Sequence, residues 1–216
     1  MYVGRIVAVG KTRAGRNAVL YRVSSRSFPD REMVDRDGTL AVVPRAGASE
    51  GDRTNPYIAY NALRLAGHWA VATNGSQTDP IAEKLEVGMP VRDAMTLSLL
   101  ALDYERDAYQ TPRIAAAVPA EGDSAWLAIV RHDALVVREV PLAAGRALYI
   151  ATYEADDFRM EQASPFDAQT AQEAACFIVE GGAFAEMEKP VTSAAALVSG
   201  GRFELGTHVV PAPAAP

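Results

Sequence analysis

The stretch WLAIVRHDALVVREVPL, Trp126 to Leu142, carries two apolar runs on either side of a short polar break at Arg131-His132-Asp133. Each run is too short for a globular helix and is rich in Val, Ile and Leu, the composition of a half-buried strand. The pattern predicts a β-hairpin, and the same pattern recurs on both sides of it. Toward the N-terminus, ALRLAGHWAVATNG (62–75) turns at Gly67-His68, and YVGRIVAV (2–9) faces AVLYRVSSRS (18–27) across the turn KTRAGRN. TLAVVPR (39–45) is a further short strand, and RAGASEGDRTNP (45–56), rich in Gly, Ser and Asp, is expected to be a loop. Toward the C-terminus, RIAAAVPA, ALYIATYEA and the hairpin TSAAALVSGGRFELGTHVV (192–210) complete the set.

Helical periodicity appears in only three places. IAEKLEVG (81–88) follows Thr78 or Asp79 as cap, with Pro80 in the first turn and Gly88 as its end. VRDAMTLSLLALDYERD (91–107) repeats apolar residues at three- and four-residue spacing and is predicted to carry Glu105 near its C-terminal end. SPFDAQTAQEAACFIVEGGAFAEM (164–187) is the third, broken at Gly181-Gly182. Antiparallel hairpins with segregated helices indicate an α+β fold. With no linker or repeat dividing it, the chain is expected to form one domain over residues 1–210, followed by a disordered PAPAAP tail at 211–216.

Composition narrows the function. The net charge of −6 argues against a nucleic-acid partner. The charge is uneven, however: residues 1–36 carry +5 and the remainder −11, so a local anion site is compatible with an acidic whole. Cys176, the single cysteine, excludes an intrachain disulfide, and the three histidines have no metal-ligand spacing. The N-terminus lacks an apolar signal region, and no run approaches the roughly 20 apolar residues of a membrane span. A cytoplasmic location without membrane association is expected. No phosphate-binding loop or dinucleotide fingerprint is present, which weighs against ATP- or NAD-dependent chemistry.

The most unusual segment is YRVSSRSFPDR, Tyr21 to Arg31, with three arginines and three serines in ten residues. It resembles the signature of archaeal-type IMP cyclohydrolases. Six further fragments match that family in collinear order: MYVGRIVAVG, NPYIAYN from Asn55, TNGSQTD from Thr73, LALDYERD from Leu100, TPRIAAA from Thr111 and KPVTSAAA from Lys189. Asp30 departs from the family pattern, which has Asn before the arginine.

The resemblance implies a four-layer αββα sandwich like that of N-terminal-nucleophile hydrolases. The start Met1-Tyr2-Val3 offers none of the Ser, Thr or Cys nucleophiles that define those enzymes, so fold and mechanism would separate. It also implies ring closure of 5-formamidoimidazole-4-carboxamide ribonucleotide to IMP, with no cofactor, and a possible homo-oligomer. Such chemistry needs donors for a phosphate, help for a weak amide nucleophile, and stabilisation of the departing oxygen. Arg31, Tyr60 and Glu105 are the candidate catalytic residues. Arg22, Ser24 and Arg26, spaced to lie on one face of a strand, are candidates for the phosphate and ribose. Asn55, Asn74 and Ser76 are candidates for the base. Plainer roles stand beside these: Tyr60 as core, Glu105 as a helix end paired with Arg106 or Arg113, Asn74 as a turn residue. A purine-nucleotide-binding protein without catalysis is the alternative function.

Overall fold

The computed structural model describes residues 1–154, 156 and 162–211. Ala155, residues 157–161 and residues 212–216, the last being all but the first residue of the stretch expected to be disordered, lie outside the described residues. Among the described residues, thirteen strands form two antiparallel sheets. The six-stranded sheet runs in the order β11 (Ala163–Pro165), β10 (Arg146–Ala151), β1 (Ile6–Lys11), β2 (Asn17–Ser24), β12 (Pro190–Ser199), β13 (Arg202–Val209). The seven-stranded sheet follows chain order: β3 (Arg31–Arg36), β4 (Thr39–Pro44), β5 (Tyr60–Ala66), β6 (Trp69–Thr73), β7 (Arg113–Pro119), β8 (Ser124–Val130), β9 (Leu135–Pro141). The hairpin read from Trp126–Leu142 is β8–β9, registered from Ser124 opposite Pro141 to Val130 opposite Leu135.

Burial follows the period-2 alternation of the strands. Val7, Val9, Val19 and Tyr21 of the first sheet meet Leu40, Val42, Leu63 and Ile114 of the second in a core between the sheets. The opposite faces are covered by helices. α4 (Ala171–Glu180) packs Ala174, Ala175 and Ile178 on the six-stranded sheet. α2 (Thr78–Glu86) and α3 (Val91–Leu102) pack Ile81, Met95 and Leu99 on the seven-stranded one. Gly206 on β13 lets α4 approach closely: a Cβ there would lie 2.3 Å from the backbone of Ala171. The α+β class expected from the sequence is what the structure shows.

Four expectations change in detail. The helix expected over 164–187 is confined to α4, with Ser164 and Pro165 in β11 and a short 3-10 turn at Gly182–Phe184. REMVDR, which had no assigned element, is β3; it pairs with β4 through Asp37-Gly38, both at positive φ as a tight hairpin turn requires. The loop expected over 45–56 contains a short helix, α1 (Glu50–Thr54), capped by Ser49. The second long helix stops at Leu102 rather than 107, because Asp103 turns to φ 57 and leaves the helical path. Glu105 therefore sits in the loop after α3, not on it. Among the described residues, no helix is long and apolar enough to cross a membrane.

Candidate active site

Antiparallel pairing gathers the starts of β1, β3, β5 and β7 and the ends of β2, β4, β6 and β10 at one end of the two sheets. Polar side chains, several of them buried, cluster at that end and are coupled electrostatically around Arg5. Arg5, just before β1, donates from Nη2 to Glu105 Oε2 at 3.1 Å, and Arg113 at the start of β7 lies 3.8 Å from the other carboxylate oxygen. Glu105 is buried. Burial lifts its carboxyl above the usual range, while Arg5 and Arg113 pull it back. Burial alone would lower the Arg5 guanidinium, but Glu105 and the surrounding tyrosine oxygens hold it above its ordinary value.

Tyr60, the first residue of β5, and Tyr21 on β2 bring their hydroxyl oxygens to 2.6 Å. Arg31, the first residue of β3, is buried and donates from Nε to the Phe28 carbonyl at 3.0 Å. Burial lowers its pKa; Arg5 adds to that, and Tyr60 opposes it. Tyr153, after β10, closes the group through the Thr111 hydroxyl at 2.7 Å, which donates in turn to Asp107. Two clefts flank this end and share the wall made by Pro44 and Ala46. The first, of about 620 Å³, is lined by Tyr60, Ser76, Asn61 and Asp79 together with the cations Arg36 and Arg53. The second, of about 580 Å³, is lined by Arg31, Arg45, Asp30 and Phe28.

The three candidate catalytic residues thus come together at one end, although more than 70 positions of sequence separate the first from the last. The binding candidates divide. Arg22 and Ser24 do share a face, with Nε bonded to Oγ at 2.9 Å, but it is the face covered by α4. There the Arg22 guanidinium donates to the carbonyls of Phe184 and Met187 at 2.8 and 2.6 Å and is fully buried. Arg26 lies beyond the end of β2, exposed, paired with Glu188 and stacked 4.1 Å over the Tyr2 ring. The expected single-face array of Arg22, Ser24 and Arg26 is therefore not formed: the strand ends too early. Asn74 is spent on the scaffold: its Nδ2 donates to the Pro112 carbonyl, and its Oδ1 accepts from Ile114 N and Gln77 Nε2. Asn55 ends α1 and accepts from Tyr57 N, away from both clefts. Of this set, Ser76 lines the first cleft, and Arg26 lines a smaller one of about 330 Å³ beside Asp30 and Arg45. Of the pairings foreseen for Glu105, Arg113 is close and Arg106 bonds Asp103 instead.

A model of the IMP cyclohydrolase-like protein family matches residues 2–202. The chain belongs to that family. It is 46% identical over 208 residues to the IMP cyclohydrolase of Methanococcus maripaludis (strain C6), covering 96% of this chain and all of the relative. The IMP cyclohydrolase of Natronomonas pharaonis is 46% identical over 96% of this chain and 98% of its own length. That of Halobacterium salinarum (strain R1) is 50% identical over 81% of this chain and 82% of its own. Arg5, Tyr21, Arg113 and Tyr153, with Thr111, are the members of the group not foreseen as site residues. Each lies on or beside a strand in a position that reads as core or scattered charge, and only the pairing of distant segments reveals them.

Proposed function

We propose that this chain is an IMP cyclohydrolase, closing 5-formamidoimidazole-4-carboxamide ribonucleotide to IMP. The observation that carries this reading is identity near one half to proteins of that name across essentially the whole of both chains. The buried polar group supplies what the reaction asks for. The carboxamide nitrogen attacks the formyl carbon and the formyl oxygen departs as water. Tyr60 offers a hydrogen bond to that oxygen, Arg31 holds the charge developing there, and Glu105, fixed by Arg5, orients or deprotonates the amide. Arg36 and Arg53 on the first cleft, with Ser76, suit the phosphate and ribose. Arg22, Ser24, Asn55 and Asn74 act in this reading through the scaffold.

The two sheets with helices on their outer faces are read as the αββα sandwich of N-terminal-nucleophile hydrolases, here without the N-terminal nucleophile. The reading places one domain over residues 1–210, a cytoplasmic setting, and no cofactor. The test is a spectrophotometric assay of IMP formation from the formamido ribonucleotide with EDTA present. Rapid cyclisation is expected. Absence of cyclisation with IMP still bound would instead make the protein a purine-nucleotide binder.

A further inference from the structure

Tyr21 and Tyr60 come from different sheets and meet hydroxyl to hydroxyl at 2.6 Å. Two phenols joined by one hydrogen bond have a direction, since one donates and the other accepts. The surroundings decide it. Tyr21 has no exposed surface, whereas Tyr60 is 8% exposed. Among the described residues, Tyr60 Oη is the only hydrogen-bond partner of the Tyr21 hydroxyl. Were Tyr60 the donor, the Tyr21 hydrogen would be sealed in the core without an acceptor, an arrangement folded proteins avoid. Burial, with Tyr60 beside it, pushes the Tyr21 phenol well up, so it keeps its hydrogen through the neutral range.

We propose that Tyr21 is a positioning residue that donates to Tyr60 Oη, and thereby makes Tyr60 the proton donor of ring closure. This rests on the reading of Tyr60 as a site residue. Ring closure removes the formyl oxygen as water, together with one hydrogen from the carboxamide nitrogen and one from the formamido nitrogen. Tyr60 gives its hydrogen to that oxygen as the C–O bond breaks, and the bond's electron pair leaves with the oxygen. The phenolate left on Tyr60 is held by the Tyr21 hydroxyl and regains a proton from those released at nitrogen.

The test is a double-mutant cycle on kcat with Tyr21→Phe and Tyr60→Phe. Tyr21→Phe is expected to lower kcat about 10- to 100-fold with KM nearly unchanged, and to cost nothing further in a Tyr60→Phe background. A merely structural Tyr21 would give losses that multiply, and that result overturns the proposal, as does a Tyr21→Phe enzyme of normal kcat. Wild-type kcat in Tyr60→Phe would sink the reading of Tyr60 itself, while a Tyr60→Phe defect beside a normal Tyr21→Phe sinks only the role of Tyr21. If Tyr21→Phe does not fold, 3,5-difluorotyrosine at position 21 keeps the bond but loses its hydrogen at lower pH. The alkaline limb of kcat then moves to lower pH, and an unmoved limb overturns the proposal.

Discussion

Arg5 Nη2 and Glu105 Oε2 lie 3.1 Å apart across 100 residues of sequence, tying the start of the first strand to the loop after α3. The carboxylate is almost wholly buried, and Arg113, at 3.8 Å, is its only other cation among the described residues. Removing one member of a buried pair leaves the other uncompensated. Arg5→Met should therefore lower unfolding stability by about 3 kcal/mol in urea titration and cut turnover as well. A variant with wild-type stability would show that Arg113 alone suffices to hold Glu105.

The same carboxyl gives a pH dependence with a definite sign. Its folded pKa is raised above the ordinary 4.5, burial being the main cause. The folded state therefore binds the proton more readily than the unfolded chain. The stability this contributes is fully present below the unfolded pKa and is lost as pH rises through the folded one. Glu105→Gln lacks that contribution, so wild type should lose ground against it in urea midpoints as pH rises above about 4.5. If Glu105 must be ionised to act, the acid limb of kcat should also fall above pH 4.5. A stability difference independent of pH would show that the two arginines cancel the effect of burial.

Arg22 stood out in the sequence beside Arg26 as half of an anion site, and the fold gives it a different task. Its guanidinium holds the carbonyls of Ile178, Val179, Phe184 and Met187 at and beyond the end of α4. Arg22→Met should leave those carbonyls short of donors and cost about 2–4 kcal/mol, seen as a fall in Tm. Affinity for IMP, measured on the folded fraction by calorimetry, should stay within a few-fold of wild type. A large loss of affinity without loss of stability would return Arg22 to the binding site.

The contrast between Arg22 and Arg5 shows what a single chain makes legible. Hairpins at Trp126–Leu142 and 192–210 could be read because turn and alternation are local; Gly200 and Gly201 both take the positive φ their turn requires. The β3–β4 hairpin carried an Asp37-Gly38 signal of the same kind, but three charges among the six residues Arg31–Arg36 beyond the first masked its alternation. Which face of β2 meets the other sheet and which meets α4 depends on partners far away in sequence. Tyr21 and Arg22, adjacent on that strand, consequently end on opposite sides, one bonded to Tyr60 and the other to α4 and the turn after it. Arg31, Tyr60 and Glu105 were found through family resemblance. Arg5 and Tyr21 lay in strands that looked like core.

Asp30 precedes Arg31 at the position where the resemblance leads one to expect Asn, and the structure leaves it exposed on the wall of the second cleft with Arg31 and Arg45. Its backbone carbonyl accepts from Arg45 N, a contact any residue would make. The carboxylate is therefore free to change without disturbing the loop. A negative charge there opposes an anionic ribonucleotide entering between the two clefts, an effect softened by water and salt. Asp30→Asn should lower KM for the formamido ribonucleotide about two- to five-fold at low ionic strength, with kcat unchanged and the gain fading as salt rises. A change in kcat rather than KM would instead place the residue 30 side chain in the chemistry, acting on Arg31.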